Sequence, residues 1–185
     1  MPDLTTLADV KEYLDIETGD TRHDQLLARL ITAASRQIEI YCRRSFDIRA
    51  CTETLDGNES DILFLANTPL VSVASVSIDG EALAPAEYKA YDEYIRLVDR
   101  VFAPGLRNVA IDYSAGLYTP GTDSPPADLE DACIQLVSFK YTLRGAEALE
   151  RREVNQVTDS FAAMAIPLSV ALTLDKYRRP LVGAV

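Results

Sequence analysis

Two consecutive stretches decide the fold: TLADVKEYL (Thr6–Leu14) and TRHDQLLARLITAASRQIEIYCRR (Thr21–Arg44). Thr6 stands three residues before Asp9, the spacing of a capping box, in which a hydroxyl satisfies an orphan N–H and the acid reaches back. Leu7, Val10 and Leu14 come next at helical spacing, and Gly19-Asp20 ends the segment. Thr21 to Asp24 repeats the capping signature. Leu27, Leu30, Ile31, Ala34, Ile38, Tyr41 and Cys42 then carry one apolar stripe, which predicts an amphipathic helix over 22–44. At 1.5 Å per residue it would run roughly 33–35 Å. Arg22, Arg29, Arg36 and Arg43 recur every seven residues, a repeat that drifts only about 20° per step along one polar edge.

Composition narrows the function classes. At 185 residues and 48% hydrophobic, the chain can bury one core, or one core with a satellite. No apolar run approaches the roughly 18 residues of a membrane span, and the first residues read as an acidic amphipathic segment, not a signal peptide. The net charge of −11 argues against tight duplex binding, because affinity for phosphate comes mainly from lysine and arginine. Cys42, Cys51 and Cys133 are odd in number and lack C-x-x-C spacing, so they read as reduced, mostly buried thiols of a cytosolic fold. The basic residues comprise four lysines and fourteen arginines, six of the latter between Arg22 and Arg49. Arginine grips carboxylates through a preorganised fork. The arginine edge therefore reads either as a solvated face laced by i,i+4 pairs or as a seam meeting acids on a neighbouring copy.

After Phe46 the apolar period changes from helical to strand-like until about Ser114. Strands are predicted at Cys51–Leu55, Ile62–Leu65, Val71–Ile78, Tyr88–Tyr91, Ile95–Val98 and Val109–Tyr113. Val71 and Val73 share one face and Val76 and Ile78 the other, a slip at Ala74-Ser75 that predicts a β-bulge. Asp79-Gly80 marks a tight turn. Pro125-Pro126 precede a helix carrying Leu129, Ala132, Cys133, Leu136, Val137 and Leu143, with Asp128, Glu130 and Asp131 complementing its dipole. Gly145 would cap it, unless the helix runs on into Glu147–Glu153. The fold class expected is α+β: a bundle of helices 6–14, 22–44 and 127–144, with a small antiparallel sheet inserted at about 51–114. The domain reading is a 1–165 body followed by a 166–185 tail.

Catalytic constellations are sparse. His23 is the sole histidine and opens a predicted helix; there is neither a G-x-S-x-G elbow nor a phosphate loop. Asp56–Asp61 offers oxygen ligands, but its glycine is second, not sixth as in an EF-hand, so a hydrated hairpin loop is the reading and no metal or cofactor is expected. The tyrosines at 88, 91, 94, 113 and 118 fit sheet packing first and base stacking second.

The ordered set of motifs resembles a known family. It comprises LADVKEYL (Leu7–Leu14), the segment Asp24–Phe46 ending YCRRSF, LANTPLVSVASV (Leu65–Val76), IDYSAGL (Ile111–Leu117), PADLEDAC (Pro126–Cys133) and LDKYRRP (Leu174–Pro180). Together these are similar to the head–tail connector, or adaptor, proteins of tailed bacteriophages. The resemblance implies a structural protein without an active site, located in the virion neck after assembly in the host cytoplasm. It implies a homo-oligomeric ring, typically twelvefold, that meets the portal protein on one side and a tail or stopper protein on the other. Such a ring lines the DNA exit without contact to membrane. Twelve copies at −11 each would carry −132, a field that repels phosphate unless neutralised. The rival readings are another neck or tail-completion ring, a soluble enzyme, or a nucleic-acid-binding module.

Two candidate surfaces result. One is the arginine edge, Arg22, Arg29, Arg36 and Arg43, with Glu130, Asp131 and Glu147 as acceptors on a neighbour. The other is the segment after Pro167, where Leu168, Leu172, Leu174 and Tyr177 precede Arg178, Arg179 and Pro180. A helix shorter than about 12–15 residues is marginal in water, so its apolar side needs cover. Either the domain's own core supplies it or, as the resemblance implies, the portal does, with the two arginines meeting acidic groups.

Overall fold

A computed structural model of the chain describes residues 2–144, 151–154, 157–160 and 166–179. It runs α1 (Leu7–Tyr13), α2 (Asp24–Cys42), then β1 (Arg49–Gly57), β2 (Ile62–Phe64), β3 (Leu70–Ile78) and β4 (Glu81–Ala82). β5 (Tyr88–Ala90), β6 (Tyr94–Leu97) and β7 (Gly105–Ala115) complete the middle section, and α3 (Ala127–Leu143) comes after it. The last elements are β8 (Arg151–Val154), β9 (Val157–Ser160) and α4 (Leu168–Leu174). β8 and β9 pair antiparallel. The class is α+β. Where the sequence suggests one body with an appended tail, chain proximity divides the molecule differently: Met1–Arg44 with Pro125–Val185 forms one compact unit, and Ser45–Ser124 another.

The helical unit is built on the stripe of α2. Leu27, Ile31, Ala34, Ile38 and Cys42 are fully or almost fully buried, as are Leu129, Ala132, Cys133, Leu136 and Val137 of α3. Ser35 Oγ lies 3.6 Å from Cys133 Sγ and accepts the Leu4 N–H at 2.9 Å. Burial raises the thiols to about 12 for Cys42 and about 11 for Cys133, so both stay protonated. The capping box at Thr6 forms, with its hydroxyl taking the Asp9 N–H and the Asp9 carboxylate taking the Thr6 N–H. The second box does not. α2 begins at Asp24 with His23 at the N-cap and no side-chain cap bond. Lys11, 4% exposed, explains the difference. Its ammonium lies 2.6 Å from Asp24 Oδ1 and donates to the Thr18 carbonyl at 3.3 Å. A buried cation needs a counter-charge more than a helix end needs a cap.

The sheet unit has β7 as its long central strand, paired antiparallel to β1 on one side and β3 on the other, in the order β1-β7-β3-β4. The single small sheet expected is in fact two, because β2, β6 and β5 pair only with one another. Leu63, Leu65, Ile95 and Leu97 on or beside the short sheet join Val76, Val109, Ile111, Tyr113 and Ala115 of the long one in a shared core with Phe102. The bulge in β3 lies between Val73 and Ser75, and a second shift lies between Leu70 and Ser72. That second shift overturns the expected pairing of Val71 with Val73: Val71 is 53% exposed while Val73 and Leu70 pack on the core.

Tight turns take the residues that their backbone demands. Asp79 and Gly80 have φ of 53° and 85° between Ile78 and Glu81, the two left-handed positions of a type I′ hairpin. At the far end of β1, a Cβ on Gly57 would stand 1.7 Å from the Ala103 carbonyl oxygen. The Gly57 N–H there donates to Asn108 Oδ1 at 2.9 Å. A polar anchor joins β1 to β7: Tyr113 donates its hydroxyl to Glu53, whose other oxygen accepts the Ala66 N–H at 2.9 Å. Ile111→Ala should cost about 2–5 kcal/mol, while Thr54→Ala on the exposed face should stay within about 0.5. Urea unfolding followed by circular dichroism checks both.

Candidate assembly surfaces

The four arginines do not share one helix. Arg22 precedes α2 and forks onto Asp20, with Nε 2.9 Å from Oδ1 and Nη2 2.6 Å from Oδ2. That bond holds the Asp20 carboxyl well below its usual range. Arg43 is the left-handed C-cap, with φ 56° and ψ 36°. Only Arg29 and Arg36 remain on the helix, about 10.5 Å apart along its axis. Both are exposed, opposite the buried stripe, with Ile40 beside them at 68% exposure. Among the described residues, Arg29, Arg36 and Arg43 make no ion pair within 4.0 Å. Of the proposed acceptors, Asp131 is exposed and Glu130 half-buried, and burial next to Asp9 raises the Glu130 carboxyl. Glu147 and the Gly145 cap lie outside the described residues.

α4 has two sides. Val170 and Leu174 are buried, and the helix packs on α3 and α2 of its own unit; Leu168 and Leu172 are 64% and 62% exposed. The residues after it are tied down. Tyr177 donates its hydroxyl to Asp128 Oδ1 at 2.5 Å, and Lys176 Nζ lies 3.7 Å from the same carboxylate. Tyr41 donates to Asp175 Oδ1 at 2.8 Å, and Arg178 lies 3.9 Å from Asp175 and 5.2 Å from the Tyr41 ring centre. The Arg179 N–H reaches the Cys42 carbonyl at 3.0 Å. Pro180 lies outside the described residues. Asp128, Tyr41 and Asp175 are the anchors that sequence reading missed. Asp128 read as a helix-dipole acid, and its second partner is 49 residues away.

A charged hollow of roughly 400 Å³ lies at the start of α2, lined by Asp15, Glu17, Asp20, Arg22, His23 and Tyr141. His23 stands edge-on to Tyr141 at 5.8 Å, and the Arg144 guanidinium covers that ring at 4.0 Å. Here the histidine packs against an aromatic ring. In the sheet unit, Tyr113 and Tyr118 are buried, Tyr88 packs on the core, and Tyr91 stacks on Tyr94 at 4.6 Å with Phe64 edge-on.

The helical core thus leaves an arginine-bearing ridge and a leucine-bearing ridge in solvent. The chain belongs to the head completion protein family, whose model matches residues 3–180. It is a virion structural protein of the bacteriophage head–tail connector class. Its fold is similar to a chain in the neck of an empty gene transfer agent particle computed with C6 symmetry (21% identity, TM-score 0.63, 96% of this chain and 91% of that one). It is similar also to a chain in the virion of the native gene transfer agent particle, at 19% identity and TM-score 0.63 over the same shares. A third is in the neck of the native particle computed with C12 symmetry, at 18% identity and TM-score 0.58 over 97% and 91%. No curated protein sequence matches the chain.

Leu174→Ala should destabilise the helical unit by about 2–5 kcal/mol and Leu168→Ala by no more than about 0.5, read from urea midpoints. The Tyr177 hydroxyl, with help from Lys176, holds the Asp128 carboxyl below its usual range. A folded-state pKa lowered in this way contributes stability above the unfolded value, near 4, and loses it as pH falls through the folded value. Tyr177→Phe should therefore lower stability at pH 6, and its gap to wild type should narrow at about pH 2.5.

Proposed function

We propose that the protein is the head–tail connector, or adaptor, of a tailed phage or prophage. In this reading it forms a ring, twelvefold in the virion, that joins the portal to the tail or stopper and lines the DNA exit channel. It acts in the neck by assembly and not by catalysis, after synthesis in the host cytoplasm. The observation that carries the reading is family membership over 3–180, joined to a likeness of fold along almost the whole chain to proteins seen in virion necks. The symmetries named for those necks, C6 and C12, are what a ring requires. The acidity of the chain favours a conduit that lets DNA slide, since copies at −11 each repel phosphate. The arginine edge would contribute subunit contacts and the 166–185 segment the portal contact. A different neck or tail-completion ring is the second reading, favoured by the breadth of the family's description.

Among the described residues of that segment, the leucine-bearing side of α4 is exposed, whereas Val170 and Leu174 are engaged inside the unit. The test is electron microscopy of the protein mixed with portal rings of the same phage. Wild type should decorate one end of the portal. The double variant Leu168→Asp/Leu172→Asp should lose that decoration while its melting temperature stays within a few degrees of wild type, since both side chains are solvent-facing. Decoration by the variant equal to wild type would move the portal contact elsewhere. Binding by wild type to tail components alone would favour the second reading.

A further inference from the structure

We infer that neighbouring copies meet head to tail, the Arg29–Arg36–Ile40 ridge of α2 on one copy lying against the Asp9–Glu130–Asp131 edge of α1 and α3 on the next. This rests on the ring reading above and adds to it the acceptor face and the polarity of the contact.

The geometry comes from how the two long helices pack. α2 and α3 pack on each other, α2 burying Leu27, Ile31 and Ile38 and α3 burying Leu129, Cys133 and Leu136. Their solvent ridges therefore point away from each other. At 100° per residue, Arg29, Arg36 and Ile40 fall within about 40° of one another on the outer side of α2, a helix about 28 Å long. Asp131 stands about 160° around α3 from Leu129 and Cys133, on the far outer side. The outer side of α2 thus carries two arginines and an exposed isoleucine, with one carboxylate, that of Asp3, bonded to Thr32 at 3.2 Å between them, and the outer side of α3 carries Asp131.

Among the described residues, the charged groups of both sides, Arg29 and Arg36 included, make no ion pair within 4.0 Å. Glu130 and Asp9 are close enough to repel, and among the described residues Asp131 accepts a bond only from the neutral amide of Gln135, at 2.8 Å. A basic and an acidic face on opposite sides cannot form a two-fold contact, in which each patch meets itself. They fit a head-to-tail contact, which propagates and closes into a ring when the rotation permits. Ion pairs at an exposed rim are worth about 0–1 kcal/mol each. Their part is to steer copies together and to exclude other registers, with apolar contacts such as Ile40 providing adhesion.

Charge exchange tests this. One variant, R29E/R36E, reverses the basic ridge; the other, E130K/D131K, reverses the acidic edge. Sedimentation velocity at low ionic strength reads the assembly, and circular dichroism checks the fold. Wild type should oligomerise, and each variant alone should associate about tenfold more weakly. An equimolar mixture should recover assembly, because both faces again meet opposite charge in an alternating ring. If Glu130→Lys disturbs folding, D131K alone, at an exposed position, takes its place. Oligomers of wild type together with a mixture that stays dissociated, or reversals without effect, would overturn the face assignment and leave the ring reading standing. A wild type that remains monomeric at every concentration would instead overturn the ring reading itself.

Discussion

A nineteen-residue helix can bury one side only, and the architecture of the helical unit derives from that constraint on α2. Its inner side, Leu27 through Cys42, supplies the surface on which α3 and α4 gather and along which the N-terminal residues Leu4 and Val10 close. Each fully buried Leu or Ile side chain contributes on the order of 1.5–3 kcal/mol from water exclusion. The stripe therefore outweighs any single cap or ion pair in the unit. The same constraint leaves Arg29, Arg36 and Ile40 in solvent. The surface that a partner can use is the complement of the one that folds the chain.

Polar groups inside the two units are placed by need. Lys11 is buried as part of α1, so its ammonium must find a carboxylate, and Asp24 is the one it reaches. Asp24 is thereby unavailable for a capping box, and α2 starts without a side-chain cap. In the sheet unit, Glu53 and Tyr113 face inward from neighbouring strands and satisfy each other together with the backbone of Ala66. Desolvation and that bond push the Tyr113 hydroxyl upward and keep it a donor. Polar contacts of this kind set register more than they add stability.

α4 is divided between an inner side that belongs to the core and an outer side that does not. Val170 and Leu174 anchor the segment, and bonds from Tyr177 to Asp128 and from Tyr41 to Asp175 lock the residues beyond the helix. Leu168 and Leu172 therefore stand on an ordered support, and in the portal contact proposed above this would reduce the entropy lost on binding compared with a segment that folds only on its partner.

Local periodicity was enough to read α2, α3 and the α+β class, because a 3.6-residue or two-residue repeat is imposed by the backbone whatever surrounds it. The bulge at Val73–Ser75 was legible for the same reason, as a slip in alternation. So was the capping box at Thr6, whose partners lie three residues apart. The failures have a common cause. The lost cap at Thr21, the split into two sheets, the exposure of Val71 and the anchoring of Tyr177 on Asp128 all depend on groups far away in sequence. The arginine edge divides for a local reason instead: its heptad spacing was visible, yet Arg22 is claimed by Asp20 two residues before it and Arg43 by the helix end. The chain alone determined the long helices, most strands of the middle section and the apolar side of α2 and α3, but not β4, β8 or β9. Which apolar sides meet, and hence which charges are left facing solvent, was decided only by tertiary packing, because burial is a property of the assembled surface and not of any single segment.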